Sequence, residues 1–308
     1  MPYTKVAAIV NPASANGATF KRWPEIASAF ENAGQKYVYS FTEGPDHATI
    51  LARQYLHQGY ELVVSVGGDG TANEVVNGFF EKGKLISTDA AYGYISTGTG
   101  GDLGRTVGSS KVMVEAVKHI VNNTPRRVDL GKVSYINNSG EDEIRYFINV
   151  AGLGIDGDIV DRVNRTSKFF GGFLSFLWGT LVSVALYRNK KMVITVDGKL
   201  ICDEPVTTVV IGNGCYFGGG MKALPNAVMD DGYFDIVILH SLSKPNLLAT
   251  LPKVYSGSHL NHPRITSLRG RTVEVYSSEY ALLNLDGEQP GRAPARIEIL
   301  PGAINFIG

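Results

Sequence analysis

Up to about Arg127 the chain alternates short apolar runs with helix-length amphipathic segments, a rhythm that few folds accept. Val6 to Val10 reads as a buried strand that stops at Asn11-Pro12. Phe20 to Ala33 follows as a helix, with Gly34 suited to its C-terminal cap. Tyr37 to Phe41 is a second strand, Ala48 to Gln58 a second helix and Leu62 to Val66 a third strand. Asn73 to Phe80 is helical, Tyr92 to Ser96 is a fourth strand, and Val112 to Val121 is a further helix. The alternation predicts a doubly wound, mostly parallel α/β sheet with helices on both faces. Ligands of such sheets bind beyond the carboxyl ends of the strands. Three loops fall there: Asn11 to Gly17, Gly67 to Thr71, and Gly98 to Arg105.

The pattern changes beyond Arg127. Val128 to Val133, Arg145 to Val150, Lys191 to Val196, Val206 to Gly212, Tyr233 to Leu239, Thr272 to Tyr276 and Arg296 to Leu300 read as strands joined by Gly, Asn and Asp. Short strands without intervening helices predict an antiparallel sandwich or barrel. One uncharged helical stretch, Phe169 to Tyr187, interrupts them, with Arg165 and Lys168 before it and Arg188, Lys190 and Lys191 after it. It reads as a core helix, as a helix whose aromatic end dips into a bilayer, or as the lining of an acyl-chain path. A membrane-spanning helix fits less well, because Gly, Ser and Thr dilute the stretch and strands of one domain flank it. The start MPYTKVAAIV reads as a first strand rather than a signal peptide.

Acidic and basic residues balance at 29 each, which argues against a nucleic-acid partner. Cys202 and Cys215 read as reduced cytosolic thiols that cannot supply the four close ligands of a structural zinc. The six histidines, His259 and His262 included, read as structural or solvated.

Gly67-Gly68-Asp69-Gly70-Thr71 carries the most chemistry. Consecutive glycines let backbone N–H groups reach a phosphate, and the following helix adds its positive end. A carboxylate inside such a loop makes sense if Asp69 holds Mg²⁺ or meets the proton of an acceptor hydroxyl. Gly98-Thr99-Gly100-Gly101-Asp102 repeats the theme, and Asp69 with Asp102 suits a metal–triphosphate complex. The loop from Asn11 to Gly17 is small and polar, with backbone donors. None of these loops holds a Gly-x-x-x-x-Gly-Lys-Ser/Thr run, and no Gly-x-Gly-x-x-Gly follows the first strand. Asp286-Gly287 is a turn that projects Glu288 from a strand end, where a carboxylate can take a hydroxyl proton. Asp230-Asp231-Gly232 reads as a hairpin turn whose oxygens suit Mg²⁺.

The segments NPASANG, VGGDGTANEVVNG, STGTGGDLGRT, NVAGLGIDGDIV, NGCYFGGGMKALPNAVMDDGYFDIVIL and LNLDGEQPG, in this order over nearly the whole chain, resemble the lipid kinase family. That family holds soluble bacterial diacylglycerol kinases and, more distantly, sphingosine and ceramide kinases. GGDGT alone is shared with NAD kinases and, more loosely, phosphofructokinases. The resemblance implies a nucleotide-binding α/β domain over 1–127, to which a strand near 297–308 returns, and a β-sandwich lipid and metal domain over 128–296. It implies ATP contacts at Asn11, Pro12, Ala13, Ser14, Ala15, Thr42, Gly67, Gly68, Asp69, Gly70, Thr71, Ala72, Asn73 and Thr99. It implies that Glu288 accepts the proton, and that a structural Mg²⁺ sits at Asp231 with the carbonyls of Val228 and Tyr233. The family usually carries Asn where this chain has Gly101.

The expected activity is transfer of the γ-phosphate of ATP to a hydroxyl of diacylglycerol or a related lipid, with Asp69, Asp102 and Glu288 as catalytic residues. The alternatives are a kinase for a soluble acceptor, like the NAD kinases, and a non-catalytic ATP-binding regulator. The expected setting is cytoplasmic, with peripheral contact at the inner face of a membrane that presents the lipid. The sequence also permits a homodimer.

Overall fold

The first apolar run folds into β1 (Val6–Val10), and all five of its residues are buried. A strand covered on both faces needs such a continuous apolar run. In this computed structural model, which describes residues 3–98, 101–166, 180 and 182–308, β1 lies between β2 (Val38–Phe41) and β3 (Leu62–Gly67). The two-residue strands β4 (Phe80–Glu81) and β5 (Lys84–Leu85) pair apart from the rest, and β6 (Ala91–Ser96) lies beside β3. The order β2-β1-β3-β6 is parallel throughout. Five helices connect these strands: α1 (Ala18–Asn32), α2 (His47–His57), α3 (Asp69–Gly78), α4 (Asp102–Val107) and α5 (Met113–Asn122). Strand alternation turns Val6, Ala8, Val10, Leu62, Val64 and Val66 to one face, where Ile26 and Phe30 of α1 meet Val117 and Ile120 of α5. Helix α3 starts four residues before the expected Asn73, because the glycine-rich loop itself forms the first helical turn.

The chain divides into two compact units, Met1–Val128 with Gly302–Gly308, and Asp129–Pro301. The second begins within β7 (Arg126–Asn137), followed by β8 (Asp142–Phe147), β9 (Val150–Gly154), helix α6 (Ile155–Thr166), β10 (Lys190–Val196) and β11 (Lys199–Gly212). Then come β12 (Phe234–His240), helix α7 (Lys244–Ser256), β13 (Ile265–Gly270), β14 (Thr272–Tyr276), β15 (Leu282–Leu285) and β16 (Glu288–Ile307). Six strands close on themselves in the order β9-β11-β10-β14-β16-β15 and back to β9, each pair antiparallel. The core inside holds Leu153, Ile194, Val209, Ile211, Val275, Leu283 and Ile297, all but completely buried. Outside the ring, β12 adds to β11, β13 to β12, β7 to β16 and β8 to β7. The last residues of β16 run parallel to β6.

This corrects the expected fold class. The expectation was a doubly wound, mostly parallel sheet joined to a separate antiparallel sandwich. The strands instead form one fourteen-stranded ladder, and its centre is a closed antiparallel six-stranded barrel. Parallel pairing joins β2-β1-β3-β6 and the end of β16. Alternation of buried and exposed residues is the same in a sandwich and in a barrel. Closure depends on β9 pairing with both β11 and β15, and no local pattern announces such long-range partners. Helices α4, α6 and α7 also escaped the sequence reading, α4 because Gly98 to Arg105 reads as a loop. Helix α6 opens with Ile-Asp-Gly-Asp and α7 contains Pro245 and Pro252, which read as loop chemistry.

The stretch from Phe169 to Tyr187 lies mostly outside the described residues, as does Thr99. Among the described residues, no helix is long and apolar enough to cross a membrane.

Candidate active site

Three loops converge at the carboxyl ends of β1, β3 and β6. Asn11 stands just past β1, where its N–H donates to the Val66 carbonyl (2.9 Å) and its side-chain amide donates to Thr71 Oγ1 (2.9 Å). The Asn11 side-chain oxygen accepts the Ala13 N–H (3.1 Å), which holds the loop Asn11, Pro12, Ala13, Ser14 and Ala15 in a tight turn. The N–H groups of Thr97 and Gly98 both donate to the Gly67 carbonyl, tying the loop after β6 to the loop after β3. Thr42 sits just past β2, its N–H on the Val10 carbonyl (2.9 Å). Thr71, Ala72 and Asn73 are buried in α3.

Glycine is required where these loops touch. A Cβ on Gly98 would lie 2.7 Å from the Cα of Gly68, too close for the backbone to keep its place. A Cβ on Gly68 would meet Ser14 Oγ at 3.4 Å and the Cα of Gly98 at 3.7 Å, both ordinary contacts, and Gly68 has an ordinary φ of −97°. Gly98→Ala should therefore cost about 1–3 kcal/mol of stability and weaken ATP binding, whereas Gly68→Ala should weaken ATP binding with little loss of stability. Urea unfolding and calorimetric ATP titration of both variants test this. Equal stability losses would remove the distinction, and unchanged ATP affinity in both would show that these loops do not cradle the nucleotide.

Asp69 links two of the loops. Its Oδ2 accepts the Asp102 N–H (3.0 Å), and its Oδ1 accepts the Leu103 N–H (3.2 Å) and the Tyr94 hydroxyl (3.2 Å). These are the first N–H groups of α4, whose N-cap Gly101 has no side chain to offer. Gly101 has φ 57° and ψ 38°, the left-handed region that Gly enters freely and Asn tolerates. The exchange of the family's Asn for Gly thus preserves the backbone turn. Burial raises the Asp69 carboxyl above its usual range, opposed by the three hydrogen bonds it accepts and by Arg105. Asp102 is buried and pairs with Arg105 (2.9 Å). Both carboxylates are hard oxygen donors beside an open glycine cradle, a donor set that suits Mg²⁺ and phosphate.

In the second unit, Glu288 is the exposed first residue of β16 and pairs with Leu285 of β15. Asp286 and Gly287 between them have φ of 49° and 93°, the pair of positive φ values that a type I′ hairpin turn needs. The turn is pinned from beneath. Buried Asp286 accepts three backbone N–H groups, from Ile148 (3.0 Å), Asn149 (3.0 Å) and Val150 (2.8 Å). The Gly287 N–H donates to Asn284 Oδ1 (3.0 Å), and the Asn284 side chain also bonds Asp156. Sequence reasoning singled out Glu288 and missed the buried carboxylates of Asp286, Asp156 and Asp129. Buried charge in a Gly- and Asp-rich motif was the available signal.

Asp156 at the start of α6 is fully enclosed, and Thr208 Oγ1 donates to its Oδ1 (2.9 Å). Burial pushes its carboxyl up to about 7 from an ordinary 3.8, against the bonds from Thr208, Gly157 and Asn284. The folded state thus favours the protonated acid. The resulting stability is full below the unfolded pKa near 4 and is lost as pH rises through about 7. Wild type should lose up to about 4 kcal/mol relative to Asp156→Asn between pH 4 and pH 8. Urea titrations across that range test it, and parallel pH profiles for the two proteins would rule it out.

Asp231 lies in the turn before β12. Its Oδ1 accepts the Tyr233 N–H (3.0 Å) and its Oδ2 pairs with Arg269, which also faces Asp235 (3.4 Å) and lies over the Tyr233 ring. Asp129 holds this turn, accepting the Gly232 N–H (2.7 Å) while donating its own N–H to the Met229 carbonyl (2.7 Å). Val228 is exposed beside it. The oxygen donors fit Mg²⁺ chemically, with Arg269 as a built-in competitor for Asp231 Oδ2.

A family model described as the diacylglycerol kinase catalytic domain matches residues 5–133, and one described as the YegS C-terminal NAD kinase beta sandwich-like domain matches residues 149–308. The diacylglycerol kinase of Staphylococcus carnosus is 30% identical over 287 residues, covering 93% of this chain and 89% of that protein. The diacylglycerol kinase of Bacillus subtilis is 29% identical over 300 residues, covering 97% of this chain and 94% of that protein. A crystal structure of a diacylglycerol kinase from Bacillus anthracis shares the fold with a TM-score of 0.77 at 24% identity, covering 100% of this chain and 98% of that one. Loops, motifs and whole-chain likeness agree: this chain belongs to the diacylglycerol kinase family.

Proposed function

We propose that this chain transfers the γ-phosphate of ATP to the hydroxyl of diacylglycerol, acting from the cytoplasm on lipid presented at a membrane surface. The observation that carries the reading is the convergence of three small, glycine-rich loops at the carboxyl ends of β1, β3 and β6 in a member of this family. Asn11 to Ala15, Thr42, Gly67 to Asn73 and Thr99 are the proposed nucleotide contacts. Backbone N–H groups and the start of α3 offset phosphate charge. Asp69 and Asp102 would hold Mg²⁺, which neutralises charge on the phosphate oxygens. Asp231, with the carbonyls of Val228 and Tyr233, would hold a second, structural ion. Glu288 takes the proton of the acceptor hydroxyl, and positioning with charge neutralisation supplies most of the catalysis.

The test is transfer of radiolabelled phosphate from ATP into a panel of lipids in mixed micelles, with NAD and fructose 6-phosphate as soluble acceptors. Label in diacylglycerol supports the reading. Label in NAD alone, or in no acceptor, overturns it.

A further inference from the structure

The pairing of β11 with β12 brings His240 to two side chains that lie more than thirty residues before it. Cys202 and Glu204 lie two residues apart on β11, so they share one face of that strand. His240 ends β12, and its Cα is the partner of Val206, two residues beyond Glu204. Ligand atoms from Cys202, Glu204 and His240 all lie within 4.8 Å of one another. Among the described residues no other group of three or more such side chains comes together in this way.

We propose that Cys202, Glu204 and His240 form a binding site for a divalent transition-metal ion, Zn²⁺ in the first instance. The donors are a thiol, an imidazole and a carboxylate, the set that zinc takes with a water in fourth place. The strongly hydrated Mg²⁺ that phosphoryl transfer uses prefers oxygen donors, so the two ions would be kept apart by chemistry.

The imidazole of His240 is held from both sides. His240 Nε2 lies 2.8 Å from Thr266 Oγ1 on β13, and Nδ1 lies 2.6 Å from Glu204 Oε1. With Nε2–H donated to Thr266, Nδ1 turns a lone pair toward a carboxylate oxygen. A proton on Nδ1 satisfies two acceptors at this distance, and so does a cation bound beside them that draws on both. Nδ1 is also buried without a well-directed hydrogen bond. A second-shell hydroxyl that fixes the far nitrogen is the usual support of a metal-bound histidine.

The backbone around the cluster is fixed on both sides of His240. The His240 N–H donates to the Arg264 carbonyl (3.0 Å), and its carbonyl accepts the Thr207 hydroxyl (3.2 Å). Cys202 is held within the barrel core, 5% exposed, while Glu204 lies partly in solvent and leaves the ion a way in. Burial raises the Cys202 thiol above its ordinary range. Binding would ionise that thiol and release its proton to solvent. The ion would then tie β11 to β12 at the end of the barrel.

The full chain, stripped with a chelator and desalted, is titrated with Zn²⁺ against a chromophoric chelator, and with Co²⁺ as a spectroscopic stand-in. The expected result is one tightly bound equivalent and a thiolate-to-cobalt charge-transfer band. Cys202→Ser should abolish the band. His240→Gln and Glu204→Gln should each lower Zn²⁺ affinity, and Thr266→Val should lower it about 10–100-fold through the second shell. Cys215→Ser should leave band and affinity as in wild type. Should Cys202→Ser fail to fold, the affinities of Glu204→Gln and Thr266→Val decide the matter. The proposal is overturned if wild type binds no Zn²⁺ at micromolar protein. It is overturned equally if the band disappears with Cys215 rather than Cys202, or if Glu204→Gln and Thr266→Val bind like wild type. In those cases His240 and Glu204 form a simple ion pair.

Discussion

Glu288→Gln is expected to lower lipid phosphorylation by about 10²–10⁴-fold while leaving ATP affinity and melting temperature unchanged. The substitution preserves size and the ability to accept a hydrogen bond, but the amide cannot take a proton. Glu288 is exposed at the first position of β16, across the turn from Leu285, so the change disturbs no core contact. The loss should fall on kcat, because the proton leaves the hydroxyl as the new P–O bond forms and not when lipid binds. Steady-state kinetics in mixed micelles, with ATP binding measured separately, checks this. Wild-type turnover in a folded Glu288→Gln protein would remove Glu288 as the base. The role would pass to Asp69, which burial makes more basic but which already accepts three donors.

Runs of Gly and small polar residues at strand ends have a residue-type signature, and that made the position of the first unit's loops legible. Gly67, Gly68, Asp69 and Thr71 are few, small and contiguous, and their contacts with Asn11 and Gly98 follow once β1, β3 and β6 lie side by side. The Asp-Gly turn was legible for a similar reason, since few residue pairs accept two successive positive φ values. What escaped depends on partners remote in sequence. Asp69 is read as a phosphate-loop carboxylate, yet its oxygens cap a helix that starts more than thirty residues later. The barrel closes through β9, whose two neighbours are set by packing and not by its own five residues. Cys202 and His240 look unrelated until β11 and β12 pair. Period and composition describe one strand at a time, so closure and cross-strand clusters lie beyond them.

Asp286 makes such a remote contact beneath the turn that precedes Glu288. Asp286→Ala should destabilise the second unit by about 3–9 kcal/mol, since three buried N–H donors each lose an acceptor at about 1–3 kcal/mol. The residue has φ 49°, so Ala would add the cost of a left-handed conformation. Asp286→Asn is the informative contrast. Asn tolerates that φ, and an oxygen in the Oδ1 place keeps the bonds from Asn149 and Val150. Its amide group would then face the Ile148 N–H, donor against donor, at the place where Oδ2 now accepts. The expected order of stability is wild type, then Asn, then Ala, measured by urea unfolding. Hydrogen exchange at Ile148 to Val150 should quicken in the same order. Because Asp286 and Glu288 share one two-residue turn, the folded Asn variant should also lose turnover without losing ATP affinity. If Asp286→Ala unfolds like wild type, the three N–H groups find other acceptors and the turn does not depend on this carboxylate. If instead stability falls while turnover of the folded Asn variant is unchanged, Asp286 holds the barrel together but does not aim Glu288.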